Sequence, residues 1–218
     1  RKQLKKVDNA ITAAIKRALD AARKKAADEA AAAKAKAKAA AKNNAPANVG
    51  TAAPINKATN PREKPIIVKR EEASVLLNDE NIELNTNFVN NRGVLPWPID
   101  KGYVLMHFGP NFMPSGTKLI TNCITIASDI GAPVKAVFEG TVSTVANIEE
   151  MQVVIIQHGK YFSTYSNLSN VSVQKGQTVV RGQVLGRAAA NLDGVGAVDF
   201  YLSDEKNNQD PEKWLRRR

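Results

Sequence analysis

The sequence predicts an α+β protein: a long N-terminal helix, a linker followed by short helices, and then a mainly antiparallel β domain. Three observations carry this. Residues 1–42 contain neither Gly nor Pro and place Leu4, Val7, Ile11, Ile15, Leu19 and Ala22 at steps of three and four, the spacing of one helical face. Pro46, Pro54, Pro61 and Pro65 then break every helical window. After Pro96-Trp97-Pro98 the period changes to two, in short runs of Val, Ile, Tyr and Thr separated by glycine turns.

Residues 1–42 would form a helix about 60 Å long, more than a small domain can cover. Its stripe weakens from Leu and Ile to Ala by Ala26, as where a coiled coil ends and helix propensity alone continues. This segment is therefore expected to be the C-terminal end of a coiled-coil helix. Residues 43–70, rich in Pro, Ala and Asn, read as a linker. Residues 71–77 and 79–91 read as helical, with Asn78 as N-cap, Asp79 and Glu80 in the first turn and Gly93 as the stop. In this segment, 71–93, Leu84 and Phe88 form an i, i+4 pair, Ile82 and Val89 lie one heptad apart, and Leu76 and Leu77 add apolar surface. That much apolar surface must dock, and the β domain, 94–218, is the nearest surface. Strands are expected at 104–108, 118–127, 134–137, 141–148, 152–158, 161–165 and 197–203, with Gly159-Lys160 as a hairpin turn. Residues 153–156 are apolar throughout, the mark of a strand buried on both faces.

The net charge of +10, from 31 basic and 21 acidic residues, is confined to one part of the chain. Residues 1–42 hold 13 basic and 4 acidic residues, whereas the rest, with 18 and 17, is nearly neutral. A nucleic-acid reader needs a basic face on its folded part, so that class is excluded. No run approaches the roughly 18 apolar residues of a membrane span. A first residue that is Arg1 rather than Met suggests a piece of a longer chain. Cys123 is the single cysteine, which rules out an internal disulfide. His107 and His158 have no acidic or cysteine neighbour at metal-ligand spacing and are expected to be structural. Ser163 and Ser166 show no base partner, so no nucleophile is evident.

A series of motifs nevertheless occurs in order: Gly102-Tyr103-Val104-Leu105-Met106-His107-Phe108-Gly109, Gly131-Ala132-Pro133-Val134-Lys135-Ala136-Val137-Phe138-Glu139-Gly140-Thr141-Val142, Thr164-Tyr165-Ser166-Asn167-Leu168, Val173-Gln174-Lys175-Gly176-Gln177-Thr178-Val179, Gly182-Gln183-Val184-Leu185-Gly186 and Asp210-Pro211-Glu212-Lys213-Trp214-Leu215. Together they resemble the LytM-type zinc metallopeptidases, which cut peptide crosslinks in bacterial cell walls. The resemblance implies a LytM-like β domain and also shows what is missing. The family's zinc ligands, a His and an Asp four residues apart and the second His of a His-x-His pair, fall on Thr121, Thr125 and Asp199. The pair's other His and the His of the Tyr-x-His-Leu motif fall on Ala197 and Asn167. Catalytic zinc needs about three protein ligands, so no metal, cofactor or catalysis is expected.

A degenerate LytM domain behind a long helix, preceded by Asn91-Arg92-Gly93-Val94-Leu95-Pro96-Trp97-Pro98, resembles the EnvC-type murein hydrolase activators. This implies a periplasmic protein at the division septum of a Gram-negative bacterium. Its partners would be an N-acetylmuramoyl-L-alanine amidase and, through the coiled coil, an FtsEX-type transporter. The amidase-binding groove is expected to be lined by Thr121, Cys123, Thr125, Tyr165, Asn167, Asp199 and Tyr201. Segment 71–92, through Leu76, Leu77, Ile82, Leu84, Phe88 and Val89, is expected to lie across that groove as an autoinhibitor or to cover a permanent flank. If it inhibits, a fragment beginning at Gly93 should be the stronger activator. Three alternatives are a scaffold binding peptidoglycan in the groove, an active endopeptidase with zinc on Cys123 and Asp199, and a carrier domain of the lipoyl or biotinyl kind, suggested by the Gly176 and Gly182 turns but lacking a Lys presented in a tight hairpin.

Overall fold

A computed structural model describes residues 2–42, 79–113, 116–148 and 151–217. The linker, residues 71–77, the Asn78 cap, Leu76 and Leu77 lie outside the described residues, as do the side chains of Leu4 and Val7.

Among the described residues two α-helices precede twelve strands: α1 (Lys2–Lys42), α2 (Asp79–Asn90), β1 (Tyr103–Met106), β2 (Gly109–Phe112), β3 (Lys118–Thr121), β4 (Ile124–Ser128), β5 (Pro133–Lys135), β6 (Gly140–Ile148), β7 (Met151–His158), β8 (Tyr161–Ser169), β9 (Thr178–Val179), β10 (Val184–Ala190), β11 (Gly196–Ser203) and β12 (Asn208–Gln209). Ten strands form one sheet, ordered β1-β4-β11-β10-β8-β7-β6-β9, with β5 and β12 on its margins. Strands β2 and β3 form a separate hairpin. Every strand pairing is antiparallel, as the period of two and the hairpin turns required.

The run expected as one strand over 118–127 is two strands in different sheets, because the chain bends at Asn122 and Cys123. Strand β8 runs four residues past its expected end, to Ser169. Strands β2, β9, β10 and β12 were not expected; β9 and β12 have two residues each, too short to show a period.

Alternation divides the sheet into two faces. Ile124 and Ile126 of β4, Val154 and Ile156 of β7, Tyr165 of β8, and Val198, Phe200 and Leu202 of β11 point into the main core, together with Val134, Val137 and Leu185. Cys123, Thr125, Val153, Ile155, Phe162, Asp199 and Tyr201 belong to the other face by the same alternation. Residues 153–156 are fully buried, as expected of a strand covered on both sides.

The two helices cover different faces. In α2, Phe88 is fully buried in the main core and Leu84 packs beside it, whereas Ile82 and Val89 are 48% and 38% exposed. Helix α1 covers the other face. Ile11 packs with Cys123 and Tyr201, while Ala18 and Leu19 pack with Val153, Ile155 and Phe162, flanked by Ala14, Ile15 and Ala22. The stripe read as a coiled-coil seam is thus, over residues 11–22, the seam between helix and sheet. A domain this small does cover part of a helix this long.

Candidate functional site

The site is built where β4, β8 and β11 run side by side. Asp199 stands opposite Thr125 of β4 on one side and Ser166 of β8 on the other. The Thr125 hydroxyl donates to Asp199 Oδ1 at 2.6 Å. Both side chains belong to the face that carries Cys123 and Tyr201, so four of the expected groove residues come together: Thr125, Asp199, Cys123 and Tyr201. Thr121 lies at the end of β3 and is turned to the loop before the hairpin, donating to the His107 carbonyl at 2.7 Å. The His107 ring contacts Glu212 at 2.9 Å across 105 positions of sequence, a pair no spacing rule could reveal.

Asn167 has become a structural wedge. At this residue β8 leaves β11, to which Ser166 is paired, and joins β10, to which Leu168 is paired. The transition requires a left-handed backbone, φ 58°, which Asn tolerates better than most residues. The Asn167 amide donates to the Ala189 carbonyl at 3.1 Å and to the Ala197 carbonyl at 2.9 Å, bridging β10 and β11. Both amide hydrogens are committed to backbone, and the residue is 5% exposed. Ala197, 1% exposed, offers only its carbonyl.

Tyr165 does not line the groove. It is fully buried in the main core because alternation turns it away from Thr164 and Ser166. Its hydroxyl accepts from Val137 N–H at 2.9 Å and lies 3.3 Å from Ser163 Oγ. Burial, opposed by these two hydrogen bonds, pushes its pKa up to about 12. Ser163 Oγ is also 2.8 Å from Nε2 of His158, whose Nδ1 lies against the Glu139 carbonyl. The fully buried His158 has its pKa pushed down to about 4 by desolvation, opposed by the Glu139 hydrogen bond, and is neutral at pH 7. A Cβ on Gly140 would lie 2.7 Å from Nδ1, so the glycine after Glu139 makes room for this close packing. Ser163 therefore has a base neighbour, but one sealed in the core.

The segment expected to lie over the groove does something else where it is described. Helix α2 sits on the core side, with Phe88 stacked on His158 at 4.7 Å and on Trp214 at 5.1 Å and edge-on to Phe138 at 5.4 Å. The element against Cys123 and Tyr201 is α1, through Ile11. Three residues on that face were not among the expected groove residues: Thr164, Ser166 and Ser203. Alternation from Asp199 and Tyr201 across the β8–β11 pairing could have found them.

Residues 120–211 match the sequence model of Peptidase family M23, and the chain therefore contains an M23, LytM-like domain. A zinc containing peptidase from Vibrio cholerae superposes with TM-score 0.50 and 27% identity, over 58% of this chain and 41% of that one. A chain of the SpoIIQ–SpoIIIAH pore-forming complex superposes with TM-score 0.50 and 21% identity, over 57% of this chain and 92% of that one. An uncharacterized protein of Neisseria meningitidis serogroup B is 31% identical over 87 residues, 39% of this chain. The match spans 15% of the Neisseria protein's length.

The donor set at the family's metal positions does not fit zinc. Thr121 and Thr125 present hydroxyls already bonded to the His107 carbonyl and to Asp199, which leaves one carboxylate where about three ligands are needed. Among the described residues no three of His, Cys, Asp and Glu come together as a metal site.

Proposed function

We propose that this chain is a non-catalytic, EnvC-type activator of a periplasmic zinc N-acetylmuramoyl-L-alanine amidase at the division septum. In this reading the degenerate LytM face binds the amidase and α1 keeps it covered until the partner is needed. The observation that carries the reading is the fate of the five family positions. Thr125 is bonded to Asp199, Thr121 to the His107 carbonyl and Asn167 to two strand carbonyls, and Ala197 has no functional group. The face has kept its strand framework while the polar groups at these positions serve the fold, as suits a surface selected for docking.

The cover is assigned to α1 rather than to 71–92, because α2 is anchored in the core by Phe88 and α1 touches Cys123 and Tyr201. The part of α1 beyond the sheet, continued as a coiled coil, would be pulled by an FtsEX-type transporter. Partial release of a helix held by Ile11, Ala18 and Leu19 needs only a few kcal/mol. A fragment beginning at Gly93 is a poor test of this, since it loses Phe88 and opens the core.

The test is amidase turnover on dyed cell wall, with the full chain and with Ile11→Asp and Leu19→Asp. The expected result is no dye release by the chain alone, stimulation by the full chain, and several-fold stronger stimulation by both variants. Release without amidase would make the chain an endopeptidase. Cosedimentation with purified wall but no effect on any amidase would make it a peptidoglycan-binding scaffold.

A further inference from the structure

Segments far apart in sequence build an open groove of about 840 Å³ whose lining includes Ile99 and Ala136 of the main core and no residue of the face under α1. Its walls carry Lys101, Lys135, Arg216 and Arg217. The backbone there is fixed: Lys135 N–H donates to the Pro98 carbonyl and Arg216 N–H to the Leu95 carbonyl, each at 2.8 Å. Trp97, also in the wall, donates its indole N–H to the Arg216 carbonyl at 2.8 Å. Asp100, the acid of the lining, accepts from Lys135 Nζ at 2.6 Å. Lys101, Arg216 and Arg217 are exposed and have no ion pair among the described residues. Like charges gathered without a counter-charge repel one another, an arrangement that an anion in the groove would relieve. The near-neutrality of the chain beyond residue 42 conceals this cluster.

A second observation says what kind of anion fits. Val94, Val180 and Val184 are 53%, 61% and 42% exposed at the margin of the groove. Arg181 ties the first two together, its guanidinium donating to the Val94 carbonyl at 3.2 Å, and Gly182, next in the chain, lines the groove. Val184 is paired with Lys135 across β10 and β5. A free phosphate pairs with the cations alone, whereas a bilayer offers headgroups to the cations and an acyl boundary to the valines. We propose that the groove and its valine rim are a docking surface for anionic phospholipid, with headgroup phosphates among Lys101, Arg216 and Arg217. Three such cations fall well short of the basic face that a nucleic-acid reader lays along a phosphate backbone. Each basic side chain near an anionic bilayer strengthens binding about fivefold, so the three together give a preference of about a hundredfold over a neutral one. The site is independent of the reading of the face under α1, and holds the domain at a membrane surface whatever that face binds.

The test is cosedimentation of the full chain with vesicles of phosphatidylcholine, alone or mixed equally with phosphatidylglycerol, at physiological ionic strength. The mixed vesicles should bind at least about tenfold more tightly than the neutral ones. Lys101→Glu with Arg217→Glu should weaken binding to the mixed vesicles at least about tenfold. Arg17→Glu with Lys24→Glu makes the same charge change at exposed positions of α1. That pair should weaken binding less than about threefold, because screening confines the attraction to about 10 Å from the membrane. Val94→Ser with Val180→Ser should weaken it several-fold and leave its salt dependence unchanged. All six positions are exposed, so the urea midpoint of the β domain should stay where it is in each variant. Absence of binding, or equal binding to both kinds of vesicle, overturns the proposal. So does an equal loss from the groove and α1 pairs, which would be the general attraction of a basic chain. Displacement by inorganic phosphate at matched ionic strength, or no loss from the valine pair, would give the groove to a soluble anion instead. Equally tight binding of polyglutamate, lost in the Lys101→Glu, Arg217→Glu variant, would give it to an acidic protein.

Discussion

Helices α1 and α2 dock on opposite faces of one sheet and do so by different physics. Helix α2 commits one large side chain: Phe88 is enclosed by His158, Phe138, Tyr161 and Trp214, with ring centroids 4.7 to 5.4 Å away. The polar chain beside it, from His158 through Ser163 and Tyr165 to the Val137 N–H, is hydrogen-bonded, while Trp214 Nε1 is buried without a partner. Helix α1 instead lays a thin seam of Ile and Ala over a face with three orphan hydroxyls. A contact that is large and aromatic behaves as core; one that is small and aliphatic can be exchanged.

The largest expected effect is that of Phe88→Ala. It should lower the unfolding free energy of the whole β domain by about 3–5 kcal/mol, read from the urea midpoint. Leu19→Ala should cost about 1–2 kcal/mol and act on α1 docking, leaving the domain's own transition in place. Equal losses from the two would erase the distinction between the helices.

The α2 side should also depend on pH. His158 titrates at about 4 in the folded chain and near 6.5 unfolded. The unfolded state therefore binds more protons between these values. Stability is fully present above pH 6.5 and should fall by about 3 kcal/mol on acidification through pH 4, in a urea series against pH. His158→Gln should flatten that slope. A slope unchanged by the substitution would place the titration elsewhere.

Smaller again is Asn167→Ala, which strips donors from the Ala189 and Ala197 carbonyls and forces a non-Gly, non-Asn residue to keep φ near 58°. A loss of about 2 kcal/mol is expected. Asn167→Gly, which relieves the backbone but not the carbonyls, should lose less.

The sequence made the framework legible and the orientation only partly so. Periodicity located α1, α2 and the long strands, because each carries enough residues to show a period. It missed β10, whose Leu185-Gly186-Arg187-Ala188 run does not alternate cleanly and whose place is set by the fork at Asn167. The motif series pointed to Thr125, Asp199, Cys123 and Tyr201, which do share a face. It misplaced Tyr165, since proximity in a motif does not say to which face a strand residue turns. What covers the face could not be read: the helical stripe announces that α1 needs a partner surface, and only the three-dimensional arrangement supplies Ile155, Phe162 and Tyr201 as that surface.

The most direct test is native-state hydrogen exchange, followed by mass spectrometry, on the full chain. Amides of α1 over residues 11–22 should exchange through a local opening that leaves the β domain folded, with a free energy several kcal/mol below that of global unfolding. Amides of α2 around Phe88 should exchange only with the strands β7 and β8. Protection of α1 equal to that of α2 and these strands would show that α1 is a permanent part of the core and that the face beneath it is never exposed to a partner.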